Sequence, residues 1–209
     1  MSIVKTIDTI TEWAEKEICA KVSLKKPPLI DEPTDELYQY ERITPACFAM
    51  YVPNETQQEG FHAPQIKPPF PSLFVQLQSG EAKGKESKME VLFWLSTWET
   101  GTHGKDILKP ASKNGKTWEE WSAEEAKTFF EIQYGGWRDA WNWADLALHK
   151  LRSTAHIGGA EIVKSDPIKF GPMKEKEDTV DTYPFWFAWI RFSVRETIAT
   201  RMEGIEHLL

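Results

Sequence analysis

A cluster of four glutamates beside two tryptophans is the part of this sequence best suited to catalysis. Its members are Glu119, Glu120, Glu124, Glu125, Trp118 and Trp121. Paired carboxylates perform glycoside hydrolysis, and the two indoles could serve as sugar platforms. Acidic side chains are also favoured at the positive end of the helix dipole, so the same cluster suits an ordinary helix start. We favour the structural interpretation.

Two glycine–lysine segments resemble phosphate-binding loops, but neither has the required spacing. A P-loop needs four residues between its glycines and a Ser or Thr directly after its lysine, where the hydroxyl holds magnesium. Three residues separate Gly80 from Gly84, two separate Gly101 from Gly104, and an acidic residue follows each lysine. We therefore predict no nucleotide site.

The histidines and cysteines form no pattern of a metal or nucleophile site. None of the five histidines has HxH or HExxH spacing, and the sequence contains no GxSxG motif. Cys19 and Cys47 lack a CxxC partner, so we expect two reduced, buried thiols. The expectation is a protein with no catalytic residues, no metal and no cofactor, which is not an enzyme.

Composition restricts the class of protein further. The chain has 209 residues, 41% of them hydrophobic and 12% aromatic, which is enough for a core without disulfides. It has no apolar run of about 18 residues and no secretory signal at its start, so we expect neither a membrane span nor export from the cytoplasm. The net charge of −7 argues against nucleic-acid binding as the main activity.

Hydrophobic spacing predicts the helices and a hairpin. Apolar residues three or four apart predict a helix over 3–18 and a second, Trp-rich helix from 137 to about 153. Capping boxes predict a short helix near 122–132. Two β-rich runs, 73–78 and 89–95, flank ten polar residues and predict a hairpin with a long charged tip. The second run is apolar on both faces, which is typical of a central strand.

Further strands are expected at 43–52, at 160–164 with 168–170, and at 183–195, before an amphipathic stretch over 198–209. In the last strand the even positions are apolar, while the odd positions are aromatic at one end and basic at the other. Because strands and helices do not alternate, we predict an α+β fold. This is a mostly antiparallel sheet with both main helices on one face, in one domain over 1–209 with loop insertions near 53–71 and 99–121.

The ten tryptophans are the one compositional excess, and they are spread along the chain. Either the core is unusually aromatic or part of this surface meets a partner.

Three segments, 70–81, 135–148 and 183–194, together with the N-terminal helix, resemble tail terminator or tail-completion proteins of tailed bacteriophages and tail-like particles. The resemblance implies a non-enzymatic protein that forms a ring, usually a hexamer, on the end of the tail tube. It implies as partners other copies of the chain, the tube protein, and sheath and neck proteins. The expected location is the virion tail, after assembly in the host cytoplasm.

A closed ring needs one patch that docks on a different patch of the next copy. The candidate patches are the aromatic end of the last strand, a proline-rich arm and the hairpin tip, the last projecting into the ring or onto the tube. Their residues are Phe185, Phe187, Trp189, then Pro68, Pro69, Phe70, then Lys83, Lys85 and Lys88. Core packing and an ordinary surface loop are the alternatives for these patches.

Other functions stay open at this point. Another head–tail joining or baseplate component would share the same class. A carbohydrate-binding or glycan-processing module belongs to a different functional class, with Trp118 and Trp121 as sugar platforms. An uncharacterised enzyme also belongs to a different class.

Overall fold

A seven-stranded sheet with two helices on one face forms the centre of the protein, in a computed structural model. The structure describes residues 2–27, 41–51, 69–99, 122–124, 136–175, 178, 179, 182 and 184–197. The helices are α1 (Ile3–Glu17) and α2 (Gly136–Ser153). The strands are β1 (Leu24–Lys25), β2 (Arg42–Ile43), β3 (Ala46–Ala49), β4 (Ser72–Lys83), β5 (Glu86–Trp98), β6 (His156–Ile157), β7 (Ala160–Ile162), β8 (Lys169–Pro172), β9 (Lys174–Glu175), β10 (Asp178–Thr179) and β11 (Phe185–Thr197).

The sheet has the order β3-β4-β5-β11-β7-β6, and β8 also pairs with β11. All pairings are antiparallel except that of β3 with β4. Strands β1 and β2 form a separate pair, as do β9 and β10. The predicted α+β fold with a mostly antiparallel sheet is confirmed.

Helix α1 forms where the sequence predicts it. Ser2 accepts a hydrogen bond from the Lys5 N–H at 3.2 Å and so caps the first turn. Ile7, Ile10 and Ala14 are buried along one side of the helix. This stripe packs on β3 and β4.

Helix α2 packs beside α1 on the same face of the sheet. Its buried side chains, including Trp143 and Leu148, share one core with the α1 stripe and with Phe93 of β5 and Ile190 of β11. Lys150 of α2 donates a hydrogen bond to Glu17 at 3.0 Å, which lowers the pKa of that carboxyl and joins the two helices. The prediction that both helices lie on one face is confirmed.

Strand β5 is central, as predicted, because β4 pairs along one of its edges and β11 along the other. The predicted hairpin with its charged tip is present, and the strands themselves, not a long loop, form that tip. Both strands continue to a turn at Gly84 and Lys85, with Gly84 at a φ of 62°. Opposite charges face each other across the strands, Glu81 with Lys88 and Lys83 with Glu86, and such pairs stabilise a ladder of polar residues.

The remaining predicted strands are present with shifted bounds. The strand expected at 43–52 is divided into β2 and β3, and the segments 160–164 and 168–170 contribute β7 and β8. The predictions for 53–68, 100–121, 125–132 and 198–209 lie outside the described residues, although 123 and 124 are helical. No helix among the described residues is long and apolar enough to cross a membrane.

Lys164 caps the C-terminal end of α2, which generates a first prediction. Its ammonium donates to the carbonyls of Leu151 at 2.6 Å and Arg152 at 2.9 Å. We expect Lys164→Met to lower the free energy of unfolding by about 1 kcal/mol, because the last carbonyls of the helix lose a charged donor. Urea denaturation measures the change. Lys5→Met, at an exposed lysine of α1, is the control, and equal loss in both variants would contradict the cap.

Candidate functional site

The sheet face opposite α1 and α2, called here the outer face, carries a row of aromatic side chains. The register places Phe48 of β3 beside Phe74 of β4, Phe74 beside Trp94 of β5, and Trp94 beside Trp189 of β11. All four side chains are half-buried. These four residues, called here the aromatic row, cross four neighbouring strands.

The aromatic row is held by contacts between its members and with β8. The Phe74 and Trp94 rings stack with centroids 6.0 Å apart and an interplanar angle of 17°. The Trp189 indole lies over Gly171 and donates to the Pro172 carbonyl at 2.8 Å. A Cβ at Gly171 would lie only 2.8 Å from the Trp189 ring, so glycine is what lets the indole extend across β8.

Two of the predicted interface patches form one cluster within the same chain. The Phe70 ring lies 4.5 Å from Phe185 and 6.4 Å from Phe187, centroid to centroid, and all three side chains are half-buried. The aromatic end of β11 is thus covered in part by the chain's own segment before β4. Pro69 is half-buried, and Pro68 lies outside the described residues.

The three predicted hairpin lysines separate into two groups. Lys83 and Lys85 are exposed at the hairpin end. Lys88 does not project from a tip. It forms an ion pair with Asp166 at 2.7 Å, and hydrogen bonds from Lys88 and Ser193 lower the pKa of the Asp166 carboxyl.

The outer face changes from aromatic to charged along β11, as the sequence predicts. The Arg191 guanidinium lies 5.6 Å from the centre of the Trp189 ring, a cation–π distance. It is 3.9 Å from the Glu90 carboxylate. With Lys88, Asp166 and Ser193, these residues form a charged region beside the aromatic row.

A second charged group lies near the start of α2. Glu99, at the end of β5, is buried and paired with Lys25 of β1. Burial raises the pKa of Asp139 in the first turn of α2, Arg42 and Lys25 oppose that rise, and Glu99 adds to it. The Lys25–Glu99 ion pair joins β1 to the residue that follows β5, near Asp139.

The sites considered from sequence have few members in the described part of the chain. Trp118, Glu119, Glu120, Trp121 and Glu125 lie outside it, and Glu124 is exposed. The described residues contain no group of three or more His, Cys, Asp or Glu that could hold a metal ion. Cys19 and Cys47 are buried and are not joined in a disulfide, as predicted.

Sequence reasoning missed most of the aromatic row. It singled out Trp189, but not Phe48, Phe74 and Trp94. The alternation in β4 and β5 assigns Phe74 and Trp94 each to one face of its strand, but only the pairing register shows that the two faces are the same.

The fold and its outer face define the structural class of this protein. It is an α+β protein in which helices cover one face of the sheet and the other face is aromatic and charged. No protein-family model matches this chain, and no curated protein matches it significantly.

The close approach of Trp189 to Gly171 generates a second prediction. We expect Gly171→Ala to destabilise the protein by about 1–3 kcal/mol, because the added methyl group displaces the indole. Gly80→Ala is the matched control, since a Cβ there meets its neighbours at ordinary distances of 3.5 and 3.6 Å. Thermal unfolding compares the two variants. An unchanged melting temperature for Gly171→Ala would refute the packing argument.

The Lys88–Asp166 ion pair generates a pH prediction. A lowered carboxyl pKa stabilises the folded state above the unfolded pKa of about 3.9, and this contribution is lost as pH falls through the folded pKa. Lys88→Met should therefore lower the melting temperature at neutral pH, and the difference from wild type should shrink below about pH 4. Lys5→Met, at an exposed lysine of α1, should show no such pH dependence. A difference that stays constant with pH would exclude the ion pair as its cause.

Proposed function

We propose that this protein is a ring-forming structural component of a bacteriophage tail or tail-like particle. In this role it is the tail terminator. It caps the tail tube and, in a contractile tail, the sheath as well, and it presents the surface that meets the head or neck. It works without catalysis, metal or cofactor, as part of the virion tail after assembly in the host cytoplasm.

The aromatic row carries this proposal. An apolar sheet face is normally buried against another layer of structure. Both described helices pack on the opposite face, and four half-buried aromatic side chains cross the outer face from β3 to β11. Aromatic side chains are enriched in subunit interfaces. A neighbouring copy in a ring is the layer that we assign to this face.

The charged region next to the aromatic row supports the same role. Lys88, Asp166, Arg191 and Glu90 provide both signs of charge at the border of an apolar surface. This arrangement is typical of an interface with an apolar centre and a polar rim. A heterologous contact of this kind closes a ring when its rotation repeats an integral number of times.

The first experiment measures assembly. We expect light scattering of the purified chain at high concentration, alone and with the tube protein encoded nearby, to give the mass of a ring. A Phe48→Thr, Phe74→Thr double variant should raise the concentration for half assembly at least about tenfold, because interface aromatics contribute more than 1.4 kcal/mol together. Threonine keeps the β-propensity of both positions.

Phe170→Thr is the matched control, because this aromatic side chain is 48% exposed and lies against Trp141 of α2. A chain that stays monomeric at high concentration and forms no ring with tube protein refutes the proposal. Genes for sheath, tube and tape-measure proteins beside the gene for this chain would support its assignment to a phage tail. A neighbourhood of baseplate or head-completion genes alone would favour another head–tail component.

A further inference from the structure

A pocket lined by indoles lies where α2 meets the beginning of β11. Trp137, Ala140 and Trp141 line it from α2, and Trp186 and Phe187 line it from β11. Pro172, Met173 and Thr182 complete the lining. We call this cavity of about 160 Å³ the indole pocket. This pocket is separate from the aromatic row, and it shares only Phe187 with the cluster of Phe70, Phe185 and Phe187.

The fold holds the sides of the indole pocket in place. Trp137 and Trp141 are four residues apart on α2 and therefore lie on one side of the helix. The Trp186 N–H donates to the Glu99 carbonyl at 3.1 Å, and Gly136 lies so close that a Cβ there would be 2.6 Å from the indole nitrogen. Phe187 is supported by Phe70. The pocket is therefore formed before a ligand enters.

Its volume matches one ring. A cavity of about 150 Å³ in another protein holds a single benzene molecule. The indole pocket is of that size and is too small for a nucleotide or an oligosaccharide. One ring-bearing side chain of a larger partner fits this volume.

The lining decides which ring is accepted. It contains no charged side chain, and the Thr182 hydroxyl already donates to the Phe185 carbonyl at 2.6 Å. Within the described residues, the indole N–H groups of Trp137 and Trp141 have no hydrogen-bond partner. The pocket is thus lined by aromatic and apolar surfaces with no charged group, and the Thr182 oxygen is the hydroxyl acceptor among the lining side chains, so the lining favours an apolar ring over a sugar.

Proline combines the matching properties. It has a compact apolar ring, no backbone N–H, and a neighbouring carbonyl that accepts from an indole. Extended proline-rich segments dock in aromatic grooves in this way at low entropic cost. We infer that the indole pocket binds a proline of the segment 63–69 from a second copy of this chain.

The sequence of that segment, Ala63-Pro64-Gln65-Ile66-Lys67-Pro68-Pro69, supplies three prolines. It leads to Phe70, whose ring packs on Phe187 at the edge of the pocket. Phe70, the residue after this segment, therefore lies beside the pocket without lining it. An arm of one copy in the pocket of the next is a heterologous contact, so the inference rests on the proposed ring.

The test uses the full chain and a synthetic peptide with the sequence of residues 63–70. We expect saturable binding, seen as a change in tryptophan emission. A peptide with alanine in place of its prolines should bind at least about tenfold more weakly. Trp137→Ala should weaken peptide binding by a similar factor and keep the fold, since this side chain is 46% exposed on a helix. Trp94→Phe, on the aromatic row, should leave binding unchanged.

Several results would overturn the inference. They are no binding at about 1 mM peptide, equal binding of the alanine peptide, and equal loss of binding in Trp94→Phe. Preference for hexaproline over the chain's own segment would exclude a second copy as the source of the proline. Glucose or cellobiose competing better than the peptide would assign the pocket to sugars. If the chain forms a ring but does not bind the peptide, only this inference is refuted. If the chain forms no ring, the proposed function is refuted.

Discussion

The pairing of β5 with strands on both of its edges is the interaction on which the rest of the structure depends. β4 and β11 are each paired to it for nearly their whole length. Val91, Phe93 and Leu95 are buried in the core that these strands form with the two helices, and this burial removes a continuous apolar surface from water. Because the three strands are in fixed register, every side chain on either face has a defined neighbour.

That register makes the two faces of the sheet unequal. The α1 stripe and the buried side of α2 meet the face that carries Phe93 and Ile190, and together they form one core. The other face collects Phe74, Trp94 and Trp189, with Gly171 making room for the last of these. One face stabilises the monomer, and the other is the surface to which we assign a neighbouring copy.

The charged side chains hold the elements around this sheet. Glu17 with Lys150 joins the two helices, and Lys25 with Glu99 joins β1 to the end of β5 beside the start of α2. The Trp186 N–H donates to the Glu99 carbonyl, and Trp186 faces Trp137 and Trp141 across the indole pocket. In the proposed ring, the aromatic row and the indole pocket are two separate contact surfaces of each copy.

Local periodicity in the sequence was sufficient for α1, α2, the hairpin strands and β11, because each spacing reflects one buried side. It also showed that β11 is aromatic at one end and basic at the other. Only the tertiary structure decided the aromatic row and the Lys88–Asp166 pair. The physical reason is that these features join residues distant along the chain, and the pairing register of separate strands brings them together.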